Sequence, residues 1–320
     1  MCGIVGVVGN SNAVDILIQG LEKLEYRGYD SAGIYVTDAP DKGCLVKSVG
    51  RIADLRAKIS SDVKGSTGIG HTRWATHGQA TEDNAHPHTS ETGRFVLVHN
   101  GVIENYLQIK EEYLQGHKFK GQTDTEIAVH LIGKFVDEDG LSVLEALKKS
   151  LHIIQGSYAF ALVDSQTPDT IYVAKNKSPL LVGVGEGYNM VCSDAMAMIR
   201  ETSQFMEIHD KELVVLTKDS ITVTDYEGNA IERGTYTAEL DLSDIGKGTY
   251  PYYMLKEIDE QPTVMRKLIS TYADDEGNIT VDPAIVKSVQ EADRIYILAA
   301  GTSYNAGFAS KAMFEKLTDT

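Results

Sequence analysis

The second residue of the chain is a cysteine, and an apolar run from Gly3 to Gly9 follows it directly. Because this run shows no alternation of polar and apolar residues, it predicts a β-strand that is buried on both faces. Removal of Met1 would leave Cys2 with a free α-amino group, whose pKa of about 7.7–8.0 suits a base for the thiol nucleophile. Alternatively, Cys2 only begins a core strand, since cysteine is often buried. Position alone does not separate these two interpretations.

The charge balance limits the partners of the chain. Its 320 residues suggest about two domains, and 46 acidic against 30 basic side chains give a net charge of −16. Such a charge repels phosphate backbones and anionic membranes, so we expect neither nucleic acid nor membrane as a partner. Three scattered cysteines, at positions 2, 44 and 192, favour reduced thiols and a cytoplasmic location over a disulfide framework. The apolar start is too short for a signal peptide, and no apolar run is long enough to span a bilayer.

The hydrophobic patterns predict an antiparallel α+β domain over residues 1–240, since strands and helices are grouped and do not alternate strictly. A short polar linker, 241–249, follows it, and residues 250–320 resemble the beginning of an α/β domain that stops after one strand and one helix. Strands are predicted over 2–8, 34–36, 45–49, 68–71, 95–98, 158–163, 170–174, 180–184, 190–192, 212–216, 221–223 and 294–299. Helices are predicted over 12–24, 104–114, 125–136, 143–153, 250–259, 264–272, 283–292 and 305–317.

Three polar groups near predicted strand and helix ends could act on an amide substrate. Asn100 and Gly101, placed after the 95–98 strand, offer an amide and a backbone N–H that could stabilise an oxyanion, although Asn-Gly is also an ordinary tight turn. Arg73 could bind a carboxylate through two parallel hydrogen bonds. Asp124 could bind an ammonium group or cap the helix that follows it, and capping is the commoner role of an isolated aspartate.

Four histidines and one glycine turn invite other interpretations. The spacing of His71, His77, His86 and His88 matches no familiar zinc pattern, so we interpret them as structural and predict neither a metal nor a cofactor. The Gly301-Thr302-Ser303 turn precedes a predicted helix, where backbone N–H groups and hydroxyls suit a phosphate. A plain strand-to-helix turn is the alternative.

Taken together, these motifs resemble the class II, N-terminal-nucleophile glutamine amidotransferases, and within them the branch that aminates fructose 6-phosphate. The motifs span residues 2–6, 24–33, 71–78, 86–88, 99–101, 123–126, 256–262 and 301–303. The resemblance implies a four-layer αββα sandwich of the N-terminal nucleophile hydrolase type over 1–240. It also implies that 250–320 is the truncated beginning of a SIS sugar-isomerase domain.

The resemblance also implies residue roles. Cys2 would attack the side-chain amide of glutamine, with its α-amine moving the proton, and Asn100 and Gly101 would form the oxyanion hole. Arg73 would bind the α-carboxylate of glutamine and Asp124 its α-amino group. The remaining implied positions are Thr76, His77 and Gly78 in the glutamine pocket, Trp74 as the gate of an ammonia channel, Arg27 near the nucleophile, and Thr302 and Ser303 near the sugar phosphate.

The implied substrates are L-glutamine and fructose 6-phosphate, the product is glucosamine 6-phosphate, and the longer enzyme is a homodimer in hexosamine biosynthesis. Because most of the sugar site lies beyond Thr320 in this family, we expect the chain alone to hydrolyse glutamine without forming the amino sugar. One alternative is another class II amidotransferase, such as amidophosphoribosyltransferase or asparagine synthetase, although the Gly301 turn lacks their acceptor-site signatures. A second is a non-enzymatic sugar-phosphate sensor, against which the intact set of glutaminase residues argues.

Overall fold

A computed structural model describes residues 2–75, 77–238, 250–274 and 276–317. The chain divides into two compact units, Met1–Gly246 and Lys247–Thr320. The predicted linker, 241–249, and the predicted pocket residue Thr76 lie outside the described residues. In the part of the chain that the structure describes, every helix is too short or too polar to cross a membrane.

Two antiparallel sheets form the centre of the first unit. The strands are β1 (Gly3–Val8), β2 (Ser31–Thr37), β3 (Cys44–Val49), β4 (Thr67–Arg73), β5 (His88–Thr89), β6 (Phe95–Ile103), β7 (Gly156–Asp164), β8 (Ile171–Asn176), β9 (Leu181–Val184), β10 (Asn189–Cys192), β11 (Gln204–Glu207), β12 (Glu212–Leu216), β13 (Ile221–Asp225) and β14 (Tyr236–Thr237). The eight-stranded sheet has the order β14-β11-β9-β10-β1-β4-β2-β3, and the six-stranded sheet has the order β13-β12-β8-β7-β6-β5.

Helices cover the outer faces of both sheets. Helices α1 (Ala13–Leu24) and α2 (Ile52–Lys58) share an apolar cluster with the eight-stranded sheet, and α3 (Tyr106–Tyr113), α4 (Asp124–Asp137) and α5 (Val143–Ile153) share one with the six-stranded sheet. A third apolar cluster lies between the sheets and includes Ile4, Val98 and Val173. These three clusters separate four layers, so the predicted αββα sandwich is confirmed.

Strand β1 lies inside the eight-stranded sheet, where Val5 pairs with Cys192 of β10 on one side and with Gly70 of β4 on the other. All six of its residues are buried. Val5 and Val7 belong to the cluster under the helices, whereas Ile4 and Val8 belong to the cluster between the sheets. The prediction of a strand that is buried on both faces is therefore confirmed, and this strand holds Cys2 at its beginning.

The prediction that the β6 strand ends at Val98 is wrong. Strand β6 continues to Ile103, with Asn100 paired with Ala159 and Gly101 with Tyr158 of β7. The Asn-Gly pair therefore lies within the ladder and is not a turn, because the long neighbouring strand supplies partners for its backbone. Sequence patterns also missed α2, β5, β11 and β14, which have two to seven residues each.

The second unit contains three described helices, α6 (Tyr253–Tyr272), α7 (Pro283–Gln290) and α8 (Thr302–Leu317). Residues 250–259 and 264–272 were predicted as two helices but form the single helix α6, which carries Pro262 in its interior although proline usually breaks a helix. The strand predicted over 294–299 is not formed. A strand is stable only in a ladder with neighbours, and the described part of this unit offers it none.

The ion pair of Arg94 with Asp164 contains a fully buried carboxylate and should matter for stability. Arg94 donates from Nε to Oδ1 of Asp164 at 2.9 Å and from Nη2 to Oδ2 at 2.8 Å. The Asp164 side chain is fully buried. We expect Arg94→Ala to lower the free energy of unfolding by about 3–5 kcal/mol, because it leaves a buried carboxylate without its cation. Urea unfolding followed by the fluorescence of Trp74, the single tryptophan, measures this in the first unit.

The matched control is Arg56→Ala, which breaks the exposed ion pair of Arg56 with Glu22. Exposed pairs contribute little, so this variant should lose less than about 1 kcal/mol. Equal losses in the two variants would contradict the importance of burial at Asp164.

Candidate active site

A cavity of about 320 Å³ lies beside the beginning of β1. Seven of the residues predicted from the sequence line it: Cys2, Arg27, Arg73, Trp74, Asn100, Gly101 and Asp124. His77 and Gly78 are not among its lining residues but contact one of them, Arg73. Thr302 and Ser303 belong to the second unit, where they are the first residues of α8.

The thiol of Cys2 is held by the backbone of Trp74. The Trp74 N–H donates to Cys2 Sγ at 3.2 Å, and the thiol lies 3.5 Å from the Trp74 carbonyl oxygen. Burial raises the pKa of the Cys2 thiol, although the contact with Trp74 and the positive charge of Arg73 act in the opposite direction. The resting thiol is therefore protonated at neutral pH, and its attack on a substrate needs a base to accept the proton.

The side chain of Asn100 is fixed in one orientation by a buried histidine. His71 Nε2 lies 2.9 Å from Asn100 Oδ1 and 3.0 Å from the carbonyl oxygen of His99. The carbonyl oxygen of His99 can only accept, so Nε2 must carry the hydrogen. The atom of the Asn100 amide that faces Nε2 is therefore its oxygen. The Asn100 Nδ2 group then faces the nucleophile and donates to the carbonyl oxygen of Cys2 at 3.2 Å.

The position next to Asn100 requires glycine. Gly101 has a φ of +136°, and a Cβ atom there would lie 2.1 Å from the carbonyl oxygen of Ser157. Both the backbone angle and the space exclude a larger residue. The strand thus brings a bare backbone and an oriented amide together at the wall of the cavity.

Asp124 does not cap α4, which answers the alternative left open by the sequence. Thr123 is the N-cap, and its Oγ1 accepts from the N–H of Glu126 at 3.2 Å. The Asp124 carboxylate accepts from the N–H groups of Ile103 at 2.8 Å and Thr125 at 2.9 Å. The side chain is fixed and buried. Oδ1 also accepts from the Thr125 hydroxyl at 3.5 Å, whereas Oδ2 keeps a second lone pair for a ligand in the cavity.

Arg73, the last residue of β4, organises the loop that follows it. Its guanidinium donates to the carbonyl oxygens of His77, of Gly78 at 3.3 Å and of Gln79 at 3.2 Å. Asp30 lies 3.8 Å away and also accepts from the Ala75 N–H. The loop is folded back onto the arginine, so a ligand carboxylate that binds Arg73 has to share or replace these contacts.

Arg27 and Trp74 occupy other parts of the wall. Arg27 Nη1 contacts Asp194 Oδ2 at 3.1 Å and the carbonyl oxygen of Ser193 at 3.4 Å. Ser193 in turn accepts from the N–H of Ile4 at 3.0 Å, which links Arg27 to β1. The Trp74 ring is 51% exposed and meets the Tyr29 ring edge-on at 5.7 Å.

A group of buried histidines supports the wall from behind. The His71 and His86 rings stack at 4.1 Å, and His99 Nδ1 lies 2.9 Å from Thr125 Oγ1. Burial lowers the pKa of His71 to about 3 and lowers the pKa of His86, His88 and His99 as well. These rings are therefore neutral at pH 7, and their hydrogen bonds connect β4, β6 and the beginning of α4.

Sequence reasoning missed the contacts that orient the predicted residues. It gave no role to Asp30, Thr125 or Ser193, and it treated His71 as structural without naming Asn100 as its partner. Asp30 lies within the quoted 24–33 motif, which was a usable signal. The pairing of His71 with Asn100 joins two strands 28 or more residues apart and carries no local sequence signal.

Comparison with known proteins independently supports an amide-directed activity for this site. A family model described as a glutamine amidotransferase domain matches residues 51–233. A protein of Streptococcus mutans named glutamine–fructose-6-phosphate aminotransferase [isomerizing] is 84% identical over all 320 residues, which cover 53% of that protein. A protein of the same name from Streptococcus pneumoniae is 79% identical over the same range and is also covered to 53%.

A solved structure, the glutamine phosphoribosylpyrophosphate amidotransferase of B. subtilis with ADP and GMP, is similar in fold. It matches with a TM-score of 0.62 and 28% identity, over 72% of this chain and 50% of the other. The chain spans about half the length of the curated relatives it matches. Since the family model covers more than half of the chain and the two sheets have the expected arrangement, the chain belongs to the glutamine amidotransferase family.

Proposed function

We propose that this chain hydrolyses L-glutamine to glutamate and ammonia, with Cys2 as the nucleophile. The observation that carries the proposal is the convergence of a thiol, an oriented amide, a guanidinium and a carboxylate on one cavity. Its volume of about 320 Å³ suits a small amino acid. The thiol would act on the carboxamide carbon of glutamine and the amide on its oxygen. The guanidinium would bind the α-carboxylate, and the carboxylate would bind the α-amino group.

The chemistry follows from the position of the thiol. After removal of Met1, the α-amine of Cys2 accepts the thiol proton while sulfur attacks the carboxamide carbon of glutamine. The carbonyl oxygen becomes an oxyanion, stabilised by Asn100 Nδ2 and the backbone N–H of Gly101. The amine then returns the proton to the leaving nitrogen, which departs as ammonia and leaves a thioester. Water hydrolyses the thioester to glutamate and restores the thiol.

The two charged groups of glutamine, which share its α-carbon, would be held by two neighbouring side chains of the cavity. We assign its α-carboxylate to Arg73 and its α-amino group to Asp124, whose carboxylate is already fixed by two backbone N–H groups. The carbonyl oxygens of His77 and Gly78, which now accept from Arg73, belong to the loop that would close on the substrate, as would Thr76. Trp74 at the mouth suits a gate for ammonia, and Arg27 supports the wall near the nucleophile.

We propose fructose 6-phosphate as the acceptor of the ammonia in the longer protein, which would then be an aminotransferase that forms glucosamine 6-phosphate. Relatives with this name are 79–84% identical over the whole chain, whereas the phosphoribosylpyrophosphate amidotransferase is 28% identical. In this proposal, residues 250–320 begin a SIS domain after the linker 241–249. Thr302 and Ser303 bind the sugar phosphate at the N-terminus of α8.

We also propose a location, partners and an oligomeric state for the longer protein. Free thiols at Cys2, Cys44 and Cys192 suit a reducing compartment, and we propose a cytoplasmic location. The net charge of −16 disfavours nucleic acid and anionic membranes. The family resemblance supports a homodimer.

The proposal predicts that Cys2→Ala abolishes glutamine hydrolysis, with a loss of at least about 10³-fold in kcat, because Cys2 is the one thiol among the described residues that line the cavity. The variant keeps the terminal amine, so the loss reports the sulfur alone. Glutamate release from purified chain measures it. The matched control is Cys44→Ala in β3, which should keep normal turnover; undiminished turnover by Cys2→Ala would overturn the proposal.

The proposed role of the amine predicts the pH dependence of the reaction. Because the thiol is protonated at rest, the rate should rise through the pKa of the α-amine, at roughly pH 7–8, and level off above it. His71, with a pKa of about 3, is neutral throughout this range and adds nothing to the rise. Steady-state rates between pH 6 and 9 test this, and a flat profile would contradict the amine as base.

The contact of His71 with Asn100 predicts a positioning role. His71→Phe keeps a ring against His86 but removes the donor to Asn100 Oδ1, so the amide is free to rotate. We expect kcat to fall about 10- to 100-fold with KM for glutamine nearly unchanged, because only stabilisation of the transition state is lost. His71→Gln, which can still donate, should recover part of the loss.

The exposed His152 of α5 supplies the control, since His152→Ala should leave both constants unchanged. If His71→Phe raised KM and kept kcat, the effect would be on binding and the positioning role would be wrong.

A further inference from the structure

We propose that the first unit carries a zinc site, formed by Glu91, His117 and His130 and separate from the cavity of Cys2. Each of these residues offers one ligand atom, and the three atoms lie within 4.8 Å of one another. The ligands come from separate parts of the chain: Glu91 follows β5, His117 follows α3 and His130 lies within α4. Two imidazoles, one carboxylate and a water molecule form a common ligand set for zinc.

The distance between the two rings fits one shared ion. With zinc–nitrogen bonds of about 2.1 Å, a ring centroid lies about 3.2 Å from the ion, so two rings at a tetrahedral angle have centroids about 5.2 Å apart. The His117 and His130 centroids are 5.7 Å apart. Ligand atoms of one tetrahedral ion lie about 3.4 Å apart, so the three atoms, which lie within 4.8 Å of one another, would move closer together on binding.

Unsatisfied nitrogens point to a ligand at this place. Among the described residues, the Nδ1 atoms of His117 and His130 are both buried and lack a hydrogen bond. His130 is only 3% exposed, so bulk water does not satisfy it. Glu91 Oε2 lies 2.9 Å from His117 Nδ1 but without hydrogen-bond geometry. Two such nitrogens side by side are unusual in a folded protein, and a bound ion would account for both.

The surroundings of His117 match those of a metal ligand. Its other nitrogen, Nε2, lies 3.2 Å from Oε1 of Glu138, and Lys134 holds that carboxylate at 2.9 Å. A carboxylate that accepts from the far nitrogen of a histidine is the common support of zinc-bound imidazole. The other oxygen of Glu91, Oε1, accepts from the N–H of Lys118 at 3.2 Å, and this hydrogen bond fixes the Glu91 carboxylate.

The site would have a structural consequence for the chain. It would tie the loop between α3 and α4 to the segment after β5, and this loop leads directly to Thr123 and Asp124. The proposal does not depend on the glutaminase activity, because none of its three ligands lines the cavity of Cys2.

Cobalt titration provides the test, because four-coordinate Co²⁺ absorbs strongly in the visible range and can replace zinc. The protein is the whole chain with Cys2→Ser, since the thiol and amine of Cys2 could themselves chelate a metal. After dialysis against a chelator, we expect one equivalent of Co²⁺ to bind with tetrahedral ligand-field bands, and Zn²⁺ to displace it. Binding of Zn²⁺ should also raise the melting temperature of the chain.

Variants identify the ligands. Glu91→Gln changes an exposed residue and should not affect folding, yet it should weaken Co²⁺ binding at least tenfold. His130→Gln should do the same, and Glu138→Gln should weaken binding about 10- to 100-fold by removing the support of His117. His152→Gln is the control and should bind as the parent does. Absence of tetrahedral bands, or equal affinity in the parent and in Glu91→Gln, would overturn the proposal and leave an ion pair of His117 with its two glutamates.

Discussion

The pairing of β1 between two antiparallel neighbours is the constraint on which the active-site geometry depends. Its six residues are buried on both faces, so the strand has little freedom to shift along β4 or β10. Cys2 precedes this strand and inherits its position. Residues outside strands and helices are often mobile, whereas the position of Cys2 is set by the buried strand that follows it.

Orientation of the site comes from neutral buried polar groups. The histidine rings behind Asn100 have lowered pKa values because burial disfavours their charged forms. The Nε2–H of His71 donates to Asn100 Oδ1 and to the carbonyl oxygen of His99, and a donor at this place selects the oxygen of the amide over its nitrogen. A charged ring would donate from both nitrogens and would face Arg73 with a like charge. Burial keeps the ring neutral, so the amide is aligned by a hydrogen bond without a second positive charge beside Arg73.

Much of this architecture could be predicted from local patterns. The doubly buried β1, the helices α1, α4 and α5 and the short strands after residue 156 other than β11 and β14 follow from hydrophobic periodicity, and the motifs indicated which side chains would meet. What could not be predicted depends on partners distant in sequence. Asn-Gly is typical of a turn, yet β7 keeps Asn100 and Gly101 in a ladder. Pro262 lies inside a helix, and 294–299 lacks the neighbours that its apolar pattern requires.

The contacts of Arg73 connect the cavity wall with the nucleophile. Three carbonyl oxygens of the following loop take up the guanidinium, and the same loop holds the sulfur of Cys2 through Trp74. An anion that competes for the guanidinium would alter the contacts that hold this loop. Binding at the arginine and the position of the nucleophile are thereby linked through one short stretch of backbone.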